Sequence, residues 1–167
     1  MSDLSDLYQD VILDHSRRPR NFGALPTANH AAEGDNPLCG DRLTLGVEVR
    51  DGEIAGIAFE GSGCAISMAS ASLMTEAVRG RPVGEAGELS ERFRRLLKGE
   101  GAGAEEGSAG AVAELEALGK LAALEGVKRY PMRVKCATLA WHTLDAALAA
   151  PATDPELVTT EWEGTTE

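Results

Sequence analysis

The sequence predicts an α+β domain, a small antiparallel sheet flanked by helices. Three observations carry that expectation. Leu4, Leu7, Tyr8, Val11 and Ile12 recur at helical spacing near the start of the chain. Leu43, Leu45, Val47 and Val49 alternate with Arg42, Thr44, Glu48 and Arg50, and Asp51-Gly52 then supplies the pair that a tight hairpin turn prefers. Late in the chain, "VKCATLAWHTLDAALAA" reads as a helix that follows Pro131 and is stopped by Pro151.

Taken in order, the first helix starts after Ser2 as N-cap and runs out before Pro19. "RPRNFGALPTANHAAEGDNPLCGD" is rich in Pro, Gly and Asn without an apolar period, so it reads as an ordered loop or a short irregular strand. The strand that returns after Asp51-Gly52 is "EIAGIAFE"; "GSGC" breaks it, and "AISMASASLMTEAVRG" opens a helix of small residues that ends near Gly80 and Pro82. Within it, Met68 and Met74 read as core. Leu89, Phe93, Leu96 and Leu97 make a further short amphipathic helix, and "AVAELEALGKLAALEGV" adds another. Between these two, "GEGAGAEEGSAG" has almost nothing to bury and reads as a mobile loop. The organisation expected is one domain over 1–150, with an inserted segment around 84–126. The tail 151–167 holds five acids and no base and is expected to be flexible.

A chain of 167 residues can bury a core without crosslinks. Three cysteines make an odd count, no basic-then-apolar leader opens the sequence, and no long apolar run occurs, so the reducing cytoplasm is the expected compartment, without membrane contact. The formal charge of −11, from 27 acidic and 16 basic residues, repels phosphate backbones and argues against nucleic acid as a partner.

Chemistry concentrates at the cysteines. Cys39 stands in a Gly/Pro loop just before a strand, Cys64 at a strand-to-helix junction, and Cys136 in the first turns of a helix. Loop ends and helix N-termini favour thiolate, the form that binds metal or attacks sulfur. Asp41 is the strongest candidate for a fourth donor, because in Cys39-Gly40-Asp41 two side chains on one side of an extended chain can converge on an ion. Free cysteine is also among the most buried residue types, and there is no C-x-x-C pair. Spacing alone therefore leaves two readings open, a metal or thiol site and three core thiols. His15, His30 and His142 read as structural or surface residues rather than ligands.

Three motifs in order, "NPLCGD", "FEGSGCAISMASASLMTEAVRG" and "RVKCATLAW", resemble the signatures of the SufU family, within the wider group of IscU-like iron–sulfur assembly proteins. The resemblance spans most of Asp3 to Ala147. It implies an antiparallel sheet with helices packed on it, and one zinc ion bound by Cys39, Asp41, Cys64 and Cys136. IscU-type scaffolds usually carry His just before the last cysteine and lack an insertion in the second half. Lys135 and the 84–126 excursion point instead to the SufU branch.

The resemblance implies a zinc-dependent sulfurtransferase, a sulfur carrier that is co-substrate and activator of a SufS-type cysteine desulfurase. The desulfurase holds the pyridoxal phosphate, and downstream iron–sulfur assembly proteins receive the sulfur. Cys39 is the expected acceptor, since its loop is the most mobile of the three settings, with Cys64 and Cys136 as anchoring ligands. Arg133 is placed to fork onto Asp41 or a cysteine sulfur, and Lys135 is a second cation nearby; a solvated surface charge is the alternative for each. Tyr8, Asp14 and Arg17 on the first helix resemble a surface that meets the desulfurase, although a core-packing helix explains them equally. The competing function is an IscU-type scaffold on which a [2Fe–2S] cluster is assembled across the same four residues.

Overall fold

The fold was obtained as a computed structural model that describes residues 3–98, 118–149 and 156–159. Ser2, the "GEGAGAEEGSAG" segment and most of the tail lie outside the described residues.

The alternation in the sequence becomes an antiparallel meander of β1 (His30–Asn36), β2 (Asp41–Arg50) and β3 (Glu53–Ser62). On β2, Leu43, Leu45 and Val47 are buried while Arg42 and Thr44 are exposed, so one face of the sheet meets the core. Asp51 and Gly52 both take positive φ, 55° and 77°, the pair of left-handed residues that a type I′ turn requires. A register irregularity between Glu48 and Val49 bends the same hairpin.

The segment read as a loop or irregular strand contains β1, a regular strand of seven residues beside β2. "HAAEGDN" has no β-branched residue to announce it, so its conformation is decided by its place between two partners. Its outer partner is β4 (Glu156–Thr159), which runs parallel to it and gives the sheet the order β3-β2-β1-β4. The expectation of a flexible tail therefore does not extend to Glu156–Thr159. His30, read as a loop residue, opens β1 and its Nδ1 lies 3.0 Å from the Ala147 carbonyl oxygen.

The helices are α1 (Asp3–Arg17), α2 (Ala65–Val78), α3 (Val83–Leu97) and α4 (Pro131–Ala149). Pro131 is the first residue of α4, where its missing N–H costs nothing. The small residues of α2 let α4 approach closely: Ser70 Oγ donates to the Ala137 carbonyl at 2.6 Å and accepts from Trp141 Nε1 at 3.2 Å. Trp141 stacks on Phe93 of α3 with centroids 4.8 Å apart, and Arg94 pairs with Asp145 at 2.8 Å, so α3 is fastened to α4 by both an apolar and an ionic contact. At Gly34 an added Cβ would overlap Thr143 Oγ1 and lie 3.0 Å from Leu139 Cδ1, which is how α4 comes down on β1. Met74 is fully buried and Met68 packs on the core, whereas Leu7 of α1 is exposed.

Of the second expected helix of the insert, residues 111–117 lie outside the described residues, and Gly119–Arg129 forms a 3₁₀ segment. Its buried Leu121, Leu124 and Val127, with Leu118 at the N-cap, recur every third residue, which is the period of a 3₁₀ helix rather than of an α-helix.

Candidate metal centre

Strand pairing gathers the cysteine-bearing corners at one end of the sheet. Asn36 and Asp41 are register partners closing a four-residue loop that carries Cys39, and Arg42 pairs with Ser62, which sets Gly63 and Cys64 beside Asp41. Within the loop, the Asn36 carbonyl accepts the N–H groups of Cys39 at 3.2 Å and Gly40 at 2.9 Å, and Gly40 turns at a φ of 73°. α4 then crosses above, delivering Cys136 from its second turn.

Cys39, Asp41 and Cys136 offer ligand atoms that all lie within 4.8 Å of one another. The Sγ atoms of Cys39 and Cys136 are 3.3 Å apart. Asp41 and Cys136 are fully buried, while Cys39 is part-exposed and so is the member that a second protein can reach. Cys64 is not one of the three grouped donors. It caps α2 through its backbone, with no side-chain cap bond, so its thiol is not spent on the helix. Its N–H instead donates to Asp41 Oδ1 at 3.0 Å.

The electrostatics tie Cys64 to the group. The Cys136 thiol is pushed well above its ordinary value, first by burial, then by hydrogen bonds with Asp41 and Cys39 and by the charges of Cys64 and Asp41. Arg133, exposed on the first turn of α4, is held as a cation by Cys64 foremost, then by Cys136, with a smaller contribution from Cys39. Arg133 therefore faces the cysteines, whereas Lys135 is half-buried further along the same turn. Among the histidines, His15 is buried with Nδ1 2.7 Å from Ser72 Oγ. On α1, Asp14 is committed to Arg18 at 2.8 Å and Arg20 at 2.6 Å.

Two residues given no role in the sequence reading shape this site. Asn36 is fully buried; its Nδ2 donates to Asp41 Oδ2 at 3.3 Å and Cys136 Sγ at 3.6 Å. A Cβ at Gly63 would lie 2.6 Å from Asp41 Oδ1, so only glycine leaves room for the carboxylate. The signal for both was their adjacency to the cysteine motifs.

Two thiols and a carboxylate suit a divalent, borderline-soft metal such as zinc, which takes Cys sulfur and Asp oxygen in tetrahedral sites. Three donors converge already and Cys64 stands at the rim, so the residues present fit such an ion.

The chain belongs to the family of NifU-like N-terminal domains, whose model matches residues 7–137. It is 40% identical to the zinc-dependent sulfurtransferase SufU of Bacillus subtilis, over 89% of this chain and 93% of that one. It is 39% identical to the iron–sulfur cluster assembly scaffold protein IscU of Streptococcus pyogenes, over 91% and 89%. A crystal structure of FiSufU, named as an iron–sulfur cluster assembly scaffold protein for the SUF system of Fervidobacterium islandicum, superposes with a TM-score of 0.72 at 35% identity, covering 83% of this chain and 94% of that one. The expected α+β fold and the SufU/IscU resemblance both hold. Overall identity is nearly equal toward SufU and IscU, so identity alone does not divide transfer from scaffolding. No described helix is long and apolar enough to cross a membrane.

Proposed function

We propose that this protein is a zinc-dependent sulfurtransferase that takes persulfide sulfur from a SufS-type cysteine desulfurase and passes it toward iron–sulfur cluster assembly. The observation that carries the reading is the asymmetry between Cys39 and the two donors grouped with it; Cys64 is part-exposed as well, at the head of α2. Cys39 is part-exposed on a short loop, while its nearest donors, Asp41 and Cys136, are fixed in the core. The 40% identity to a protein named as a zinc-dependent sulfurtransferase supports the same reading.

Cys39, Asp41, Cys64 and Cys136 would hold the zinc, which keeps thiolates charged without redox chemistry of its own. The chain's own part follows from its geometry. The Cys39 thiolate attacks the outer sulfur of the desulfurase persulfide; a new S–S bond forms on Cys39, the old one breaks, and the electron pair leaves with the desulfurase cysteine as thiolate. Arg133 faces the thiolates and offsets their charge during the exchange. The buried Asp41 and Cys136 stay in place, and Cys64, at the head of α2, completes the donor set.

Mass spectrometry after incubation with a SufS-type desulfurase and cysteine tests this reading. One added sulfur atom on the Cys39 peptide is the expected result. Sulfur found only on Cys64 or Cys136 would remove Cys39 as acceptor. The identity to IscU supports a second reading, assembly of a [2Fe–2S] cluster on the same side chains. Lys135 in the position before Cys136 speaks against it, and a brown protein with visible absorption after aerobic purification would establish it.

A further inference from the structure

We propose that Asn36 is a positioning residue of this centre, a buried amide that sets Asp41 and Cys136 for the metal. The role rests on the zinc reading above. Among the described residues, Asn36 is the one outside the group that is bonded to all three grouped donors. Its side chain reaches Asp41 Oδ2 and Cys136 Sγ, and its carbonyl holds the backbone of the loop at Cys39.

The chemistry of the neighbours fixes the orientation of the amide. Both are electron-rich acceptors, so the NH2 end must face them; the opposite flip would aim the amide oxygen at a carboxylate and a sulfur. That orientation has a consequence at the other end: Asn36 Oδ1 is buried without a hydrogen-bond partner among the described residues. An unpaired buried acceptor destabilises a fold. A side chain chosen for packing alone would be apolar here, whereas one chosen to donate to the metal's ligands has to carry this orphaned oxygen with it.

The consequence for Asp41 is specific. Its two oxygens each receive one N–H, Oδ1 from Cys64 and Oδ2 from Asn36, which locks the carboxylate plane while leaving a lone pair on each oxygen. Groups that orient metal ligands in this way typically contribute 10- to 100-fold in affinity, by order of magnitude. Aspartate at 36 would set like charge beside Asp41, and alanine would leave both acceptors undirected.

The test is zinc affinity, measured by competition with a chromophoric chelator for the wild-type protein and the Asn36→Ala and Asn36→Leu variants. Thermal unfolding of the metal-free proteins and Co2+ absorption spectra are recorded alongside. The expected result is zinc binding roughly 10- to 100-fold weaker in both variants, with altered thiolate-to-Co2+ bands. The metal-free Asn36→Leu protein, which keeps the volume filled, is expected to unfold cooperatively near the wild-type temperature. Zinc bound as tightly by both variants as by the wild type overturns the role. So does loss of affinity only in proteins that are already unfolded without metal, which would make Asn36 a fold residue. Wild-type protein that took up no zinc would overturn the zinc reading itself, a distinguishable failure.

Discussion

The two ends of α2 both carry buried polar groups, and they treat them in opposite ways. At the C-terminal end, Ser72 Oγ lies 2.7 Å from His15 Nδ1 and accepts the Arg20 N–H at 2.8 Å, while Thr75 Oγ1 accepts from Asn21 Nδ2 at 3.0 Å and donates to the Ser72 carbonyl at 2.7 Å. Each group finds a partner of complementary chemistry, and the result ties α1 and the loop behind it to the core. At the N-terminal end, Asp41 and Cys39 crowd against Cys136 and, with burial, disfavour its charge, and Asn36 Oδ1 has no hydrogen-bond partner among the described residues. Closed polar networks stabilise a fold; open ones of this kind mark a place kept for a ligand.

Substitutions sharpen that contrast. The largest effect is expected from Asp41→Ala, which removes one of the three converging donors; zinc retention should fall by more than the roughly 100-fold that outer-shell changes reach, as read by metal analysis after dialysis. Gly63→Ala presses a methyl group against Asp41 Oδ1 from the neighbouring backbone, so zinc affinity should also drop while urea unfolding shows a loss of about 1–3 kcal/mol. Ser72→Ala reverses the pattern. It strips partners from His15 and from the Arg20 N–H, and should cost about 1–3 kcal/mol in urea unfolding while leaving zinc binding intact.

The smallest effect separates the two ends by pH. Burial first, then the charge of Arg20, lowers the His15 pKa below its ordinary 6.5, against the pull of Glu76. The unfolded chain therefore takes up the proton before the folded one does. The stability contributed by neutral His15 is present above 6.5 and is lost as pH falls through the lower folded value. The melting temperature should decline on acidification through this window, and the decline should be shallower in His15→Gln. An unchanged slope in that variant would assign the acid sensitivity to other groups.

How much of this was legible in the sequence depended on whether the signal was local. β2 and β3 could be read because a period of two ends on Asp51-Gly52, whose backbone the turn itself demands. β1 could not, because "HAAEGDN" is a strand by virtue of its neighbours β2 and β4. The Gly119–Arg129 segment showed its apolar residues but not its helix type, since the tell-tale spacing of three is diluted by Ala122 and Ala123. Cys39, Asp41 and Cys136 were legible through their motifs, and the structure brings them together; Cys64 joins by charge and backbone rather than as a fourth grouped donor. Asn36 falls in the stretch read as a loop or irregular strand, and becomes a buried donor only once α4 covers the end of the sheet.

Metal analysis of the aerobically purified protein and of its Cys136→Ser and Ser72→Ala variants tests the central claim most directly. A single tightly held zinc in the wild type and in Ser72→Ala, lost from Cys136→Ser, is the result this account predicts. Zinc retained equally by all three, or none in any, would contradict it.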